Sequence, residues 1–185
     1  MIRQATVEDA AQVMPLLHNA IGTIANTLAG TPDDAEAMQI LTEFYKQPGN
    51  RISYENVIVE ERDGKVAGIL VAYDGTRAED LDLPLIDRIV RESGRTGYTI
   101  TKEAQPNEYY LDSLSVDESF QGMGIGKSLI RAFEDKAAKD GYPRVSLIVE
   151  QDNERAYALY RKIGYTEDGR LQVSGKPFIR MIKPV

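Results

Sequence analysis

The chain contains no cysteine and one histidine in 185 residues. Without cysteine there is no disulfide, no thiolate metal site and no cysteine nucleophile. A lone imidazole, His18, is a poor basis for a metal site or a Ser-His-Asp triad. It follows Leu16-Leu17 in a helical pattern and reads as a helix-surface or core-edge residue. Long apolar runs are missing too, and none approaches the roughly 18 residues of a membrane span. Met1-Ile2-Arg3-Gln4-Ala5-Thr6 lacks the basic start and apolar core of a signal peptide. The expectation is a soluble, cytoplasmic protein without a membrane partner. Basic residues are outnumbered 22 to 29, giving a net charge of −7, so the basic footprint of a nucleic-acid binder is absent. An acidic chain remains compatible with a cationic substrate such as an amine. The 42% hydrophobic content supplies a full core for one domain spanning 1–185.

The hydrophobic pattern alternates between the two regular periods. Ile2 to Ala5 reads as a short strand, and Thr6 to Asp9 as a capping box opening a helix. Ala10, Val13, Leu16, Leu17, Ala20 and Ile21 recur at helical spacing, with Pro15 expected to kink or break the helix. Gly30-Thr31-Pro32 stops a further segment, and Thr31 or Asp33 caps a helix over about 34–46 with Met38, Leu41, Phe44 and Tyr45 inward. Asn56 to Glu61 and Lys65 to Tyr73 are β-rich and joined by Arg62-Asp63-Gly64, a hairpin signal. Residues 76 to about 107 read as an insertion with one short helix carrying Leu83, Ile86, Ile89 and Val90, and they suit either a functional cover or a solvated excursion. From Tyr109 the order becomes strand, helix, strand, helix, hairpin. This is a mixed α/β pattern around one sheet.

Gln121-Gly122-Met123-Gly124-Ile125-Gly126-Lys127-Ser128 lies between the apolar run ending at Val116 and an amphipathic helix. Glycines let backbone N–H groups converge, and the helix start adds unpaired N–H groups and the positive dipole end. That combination holds phosphate. Two familiar phosphate patterns fail here. A Walker A loop needs glycine where Gln121 stands, and the dinucleotide G-x-G-x-x-G needs glycine where Lys127 stands. Gln/Arg-x-x-Gly-x-Gly/Ala does fit, as Gln121 through Gly126.

With that pattern, and with Val149-Glu150-Gln151-Asp152-Asn153 followed by Ala156, Leu159-Tyr160 and Gly164-Tyr165, the chain resembles the GCN5-related N-acetyltransferases over about 108–167. The resemblance implies an α/β (α+β) fold, the GNAT-like acyl-CoA N-acyltransferase fold, with a central mixed, mostly antiparallel sheet flanked by helices. It implies acetyl-CoA as co-substrate, no metal, and direct transfer to a primary amine on a small molecule or peptide. Dimers are frequent in the family, so a homodimer is in view.

The resemblance also carries residue roles. Gln121, Gly122, Met123, Gly124, Ile125, Gly126 and Lys127 would hold the pyrophosphate. Leu114, Ser115 and Val116 would offer backbone groups to the pantetheine arm and acetyl carbonyl, on a strand that splays from its neighbour. Asn153 would contact the pantetheine, with helix capping as the competing role. Tyr160 would protonate the departing thiolate, since a phenol stays protonated at neutral pH. The glutamate that some relatives carry on the fifth strand falls on Ile148 here and is lost. Asp112, expected to share a strand face with Tyr110, Leu114 and Val116, becomes the first candidate base, ahead of Glu108 and Glu150. Two other functions compete with this one: a non-catalytic acyl-CoA-binding regulator of the same fold, and a P-loop nucleotide-binding protein.

Overall fold

The structure is a computed structural model describing residues 1–185. Seven strands form one sheet: β1 (Ile2–Gln4), β2 (Val57–Arg62), β3 (Lys65–Asp74), β4 (Tyr109–Val116), β5 (Arg144–Glu150), β6 (Thr166–Val173) and β7 (Lys176–Pro184). Their spatial order is β1-β2-β3-β4-β5-β7-β6, and only β4–β5 is parallel. Helices α1 (Ala10–Ile21), α2 (Ile24–Ala29), α3 (Asp34–Tyr45) and α4 (Ala78–Ser93) precede β4, while α5 (Ile125–Lys139) and α6 (Glu154–Lys162) follow it.

Strand alternation explains the layers. On β3, Ile69 and Val71 join the core formed by α1, α2 and α3, whereas Leu70 and Ala72 join the core under α5 and α6. Leu129, Phe133 and Ala137 of α5 are almost fully buried in that second core. Losing Leu129 or Phe133 to alanine would cost about 2–5 kcal/mol. At the β2–β3 turn, Asp63 and Gly64 both take positive φ (50° and 75°), as a type I′ hairpin requires.

Two expectations need correction. The first concerns α1, which runs through Pro15 to Ile21 without breaking. Pro15 removes one N–H, yet Val13, Met14, Leu16 and Leu17 around it are buried, and that packing outweighs the lost bond. The second concerns the insertion. Its helix is α4, 16 residues long, and it buries Leu81, Leu85 and Ile89 while Leu83 is 50% exposed. The stripe is therefore i, i+4, i+8 from Leu81 rather than one beginning at Leu83. Of the two candidates for the cap of α3, Asp33 fills the role, accepting from the Glu36 N–H at 2.7 Å.

The segment after α4 returns to the sheet through a tight contact. The Gly75 N–H donates to the Glu108 carbonyl at 2.8 Å. A Cβ on Gly75 would lie 2.1 Å from the Gln105 carbonyl oxygen, so only glycine permits this approach. No helix is long and apolar enough to cross a membrane.

Candidate active site

The glycine turn leaves a group of backbone N–H donors without backbone partners. Gly122 and Gly124 have φ of 80°, and Gly124 is the residue from which α5 starts. The N–H groups of Gly122, Gly124, Ile125, Gly126 and Lys127 donate to no backbone acceptor, the first intrahelical bond being Ser128 N–H to the Gly124 carbonyl at 3.0 Å. Side chains at Gly122 and Gly124 would meet nothing within 4 Å, so the space in front of the turn is open. These groups line a groove of about 770 Å³ together with Leu114, Ser115, Val116, Gln121, Asn153 and Tyr160. Met123 does not line it. It is 68% exposed and its N–H turns back to the Phe120 carbonyl at 3.4 Å. The backbone twist that gathers its neighbours' N–H groups points Met123 away.

The groove continues into the sheet because β4 and β5 part. Their register is Tyr109↔Val145, Tyr110↔Ser146 and Leu111↔Leu147, and pairing stops there although both strands run on. Beyond Leu111, the β4 backbone groups that face β5 have no ladder partner. A second cavity, of about 330 Å³, lies in this wedge. It shares Asn19, Ala20, Leu114, Asn153, Ala156 and Tyr160 with the groove. A molecule held by the glycine turn can therefore present its far end to a second molecule in the cavity.

Tyr160 stands on that shared wall, 7% exposed, with its ring edge-on to Tyr165 at 5.7 Å. Burial pushes its phenol up to about 12, so it remains a proton donor at neutral pH. Asn153 caps α6 by accepting from the Ala156 N–H through Oδ1 at 3.1 Å. Its amide nitrogen is not used in the cap, so capping and ligand contact are compatible in one side chain.

Asp112 lines the cavity, but not as strand alternation suggests. The β3–β4 register shifts between Val71 and Ala72, from Val71↔Ser113 to Ala72↔Leu111, which makes Asp112 the extra residue of a β-bulge. Leu111, Leu114 and Val116 consequently pack on the α5 side, while Tyr110 packs with Tyr73 on the α4 side. The Asp112 side chain turns to the second set. It accepts from Arg51 Nε and from the Tyr73 hydroxyl, both at 2.8 Å, and from Ser113 Oγ at 2.8 Å.

Glu108 does not line either space. It is fully buried, bound by Arg180 Nη1 at 2.9 Å, Ser146 Oγ at 2.7 Å and the Gln105 N–H at 2.7 Å. Burial alone would raise its pKa, but the donors from Arg180, Ser146 and Gln105 bring it below the usual carboxylate value. That makes it a structural anion. Glu150 sits at the cavity rim, paired to Lys176 at 3.2 Å in solvent. Ile148, at the position of the lost glutamate, is part of the apolar cavity wall.

Sequence reasoning missed Arg51 and Glu103, both buried and both lining the cavity. They come from a loop before β2 and from the segment after α4, with no local motif to mark either. The nearest signal is the presence of charge in stretches that pack against the sheet.

A family model described as the acetyltransferase (GNAT) family matches residues 24–165. The chain is 38% identical over 78 residues to the mycothiol acetyltransferase of Jonesia denitrificans, covering 41% of this chain and 25% of that protein. It is 38% identical over 76 residues to the N-alpha-acetyltransferase RimI of Mycobacterium tuberculosis, covering 41% and 46%. Each match spans less than half the length of the curated relative. Over the whole chain, a crystal structure of an acetyltransferase aligns with a TM-score of 0.80 at 33% identity, covering 100% of this chain and 99% of that one.

Proposed function

The chain belongs to the GNAT acetyltransferase family, and we propose that it transfers the acetyl group of acetyl-CoA directly to a primary amine in a ternary complex. The observation that carries this reading is the junction of groove and cavity at Leu114 and Tyr160, where β4 and β5 separate. The free N–H groups of the glycine turn would take the CoA pyrophosphate, and the pantetheine arm would run along Leu114–Val116 past Asn153. Unpaired backbone donors of β4 would face the thioester oxygen. One such donor, well placed, contributes about 3–4 kcal/mol as negative charge develops there.

The chemistry then balances as follows. The acceptor arrives as an ammonium and must lose one proton before its nitrogen can attack. Asp112 receives that proton through water and passes it to solvent. Arg51 and Tyr73 hold the Asp112 carboxylate in place, and the transfer rate rises with pH as the free-amine fraction of the acceptor grows. The C–N bond forms and the C–S bond breaks; the sulfur leaves with the Tyr160 proton, and the second proton, shed by the acylated nitrogen, passes through water to restore the Tyr160 phenol. A general acid or base contributes roughly 10²–10⁴ in rate.

The test is CoA release from acetyl-CoA across an amine panel, with the acetylated amine identified by mass. Asp112→Asn is expected to lower kcat while acetyl-CoA still binds. One observation favours a second reading, an acyl-CoA-binding regulator without turnover: Asp112 is already engaged by three protein donors. Acetyl-CoA binding with no acetylated product from any amine would select that reading.

A further inference from the structure

The cavity beside the groove has a floor with too much negative charge. Arg51 is 3% exposed and contacts Asp112 at 2.7 Å, Glu103 at 2.9 Å and Asp82 at 3.4 Å, so one guanidinium faces three carboxylates. Asp112 and Glu103 line the cavity, and Asp82 lies behind them. An ionised carboxylate offers about four acceptor positions. Glu103 uses one oxygen for Arg51 and the other for the Tyr110 hydroxyl. Accepting capacity is left over, and a buried surplus of one sign is costly unless a ligand offsets it. An ammonium group fits: it carries one positive charge and three donors.

Ile21, Ile24, Leu28, Ile148 and Phe178 give the cavity an apolar wall, and Asn19, Ser113, Glu150 and Asn153 add polar groups to its lining. Its volume of about 330 Å³ is at the small end of the roughly 300–1,000 Å³ of small-molecule sites. The α2 wall is also tied down. Thr27 Oγ1 lies 3.0 Å from Ser174 Oγ, joining α2 to the β6–β7 turn. On the other side, the Tyr98 hydroxyl donates to the Thr27 carbonyl at 2.6 Å and Arg95 to the Gly30 carbonyl at 3.0 Å. An extended polypeptide needs an open-ended channel, at about 3.3–3.6 Å per residue. The wall that supplies Ile24 and Leu28 is thus joined to the hairpin that supplies Phe178.

We infer that the acyl acceptor is a compact small molecule with a protonated primary amine and a short apolar body, its ammonium held by Glu103 and Asp112, and that the Thr27–Ser174 junction disfavours a polypeptide. The inference rests on the acetyl-transfer reading for its chemistry, but the binding site can be tested without turnover. The full chain, loaded with CoA, is titrated calorimetrically with butylamine, benzylamine, butanol and a decapeptide with a free N-terminus. The same compounds are assayed for CoA release with acetyl-CoA.

The two amines are expected to bind and butanol not to, and kcat/KM for the amines should exceed that of the decapeptide by at least about tenfold. Glu103→Gln should raise the butylamine KM about tenfold, as expected for one charge-assisted hydrogen bond, while the acetyl-CoA Kd stays unchanged. If that variant does not fold, Thr27→Ala combined with Ser174→Ala serves instead and should raise decapeptide turnover relative to butylamine. Amine binding without acetyl transfer would uphold the pocket and defeat the transfer reading. Equal or better use of the decapeptide, equal binding of butanol, or no amine binding would overturn the inference.

Discussion

Arg180 and Arg51 are both buried at about 5% exposure or less, and each sits among carboxylates. Arg180 pairs with Glu108 and Asp168, and Arg144 adds a second cation at 3.3 Å from Glu108. Charge there is matched, two against two, and none of the four residues lines the groove or the cavity beside it. The network ties the start of β4 to β5, β6 and β7. Arg51 is outnumbered by Asp82, Glu103 and Asp112, and its network faces the cavity. The matched network closes its own electrostatics and holds the frame. The unmatched one has a vacancy in charge balance, turned towards the place where a cationic acceptor would bind. Burial and distance look alike at the two sites, so it is the charge count and the adjoining space that tell structure from function.

The largest expected effect breaks the matched network. Glu108→Ala leaves Arg180 buried without its main partner and should cost about 3–5 kcal/mol of stability. Urea unfolding measures the loss, and acceptor KM in the surviving folded protein should stay unchanged. A changed KM with normal stability would reverse the roles assigned to the two networks.

Next in size is Tyr160→Phe, which removes the donor but keeps the ring against Tyr165. Its kcat should fall about 100-fold, near 2.7 kcal/mol, with acetyl-CoA affinity little changed. Steady-state kinetics with equilibrium titration checks both numbers. Unaltered kcat would remove Tyr160 from the acid role.

Glu103→Gln is smaller, at about 1.4 kcal/mol for the tenfold KM change expected above. Its contrast with Glu108→Ala is the informative part: one variant alters KM with modest stability loss, the other alters stability alone.

The smallest effect comes from Asp82. Burial pushes its carboxyl up to about 6, opposed by Arg51 and assisted by the charges of Asp112 and Glu103. Because its folded pKa lies above the unfolded 3.8, the native state binds the proton more tightly, and the stability this proton contributes is lost as pH rises through about 6. Asp82→Asn, permanently neutral, should therefore gain on the wild type as pH rises from 4 to 7 in parallel melting curves. Protonation of Asp82 also removes one negative charge from the cluster. Amine KM should rise by roughly threefold below pH 6, the charge being screened and outside the cavity wall.

Much of this arrangement was legible in the residues. The glycine turn at Gln121–Lys127, the Asn153 cap and the Tyr160 face each depend on local spacing, and local spacing survives folding. The succession strand, helix, strand, helix from β4 to α6 was legible in the same stretch. Asp112 was found as a carboxylate in the right strand and on the face of Tyr110, but Leu114 and Val116 fall on the other face, because period-two alternation assumes no bulge. Arg51 and Glu103 left no local mark. They lie 52 positions apart and meet only through the sheet. The α4 stripe was misread because Leu83 and Ile86 also repeat at helical intervals, and only the position of the sheet decides which stripe is buried. Met123 illustrates a narrower point: inside a glycine turn, a motif position can serve the backbone path while its own side chain faces solvent.

The most direct measurement is a crystal structure of the chain with CoA bound. The account predicts the pyrophosphate within hydrogen-bond distance of the N–H groups of Gly122, Gly124, Ile125, Gly126 and Lys127. It also predicts the thiol between β4 and β5 beside the Tyr160 hydroxyl, opening on the Arg51 cavity. CoA seated away from the glycine turn, or a thiol that does not reach the junction of groove and cavity, would contradict it.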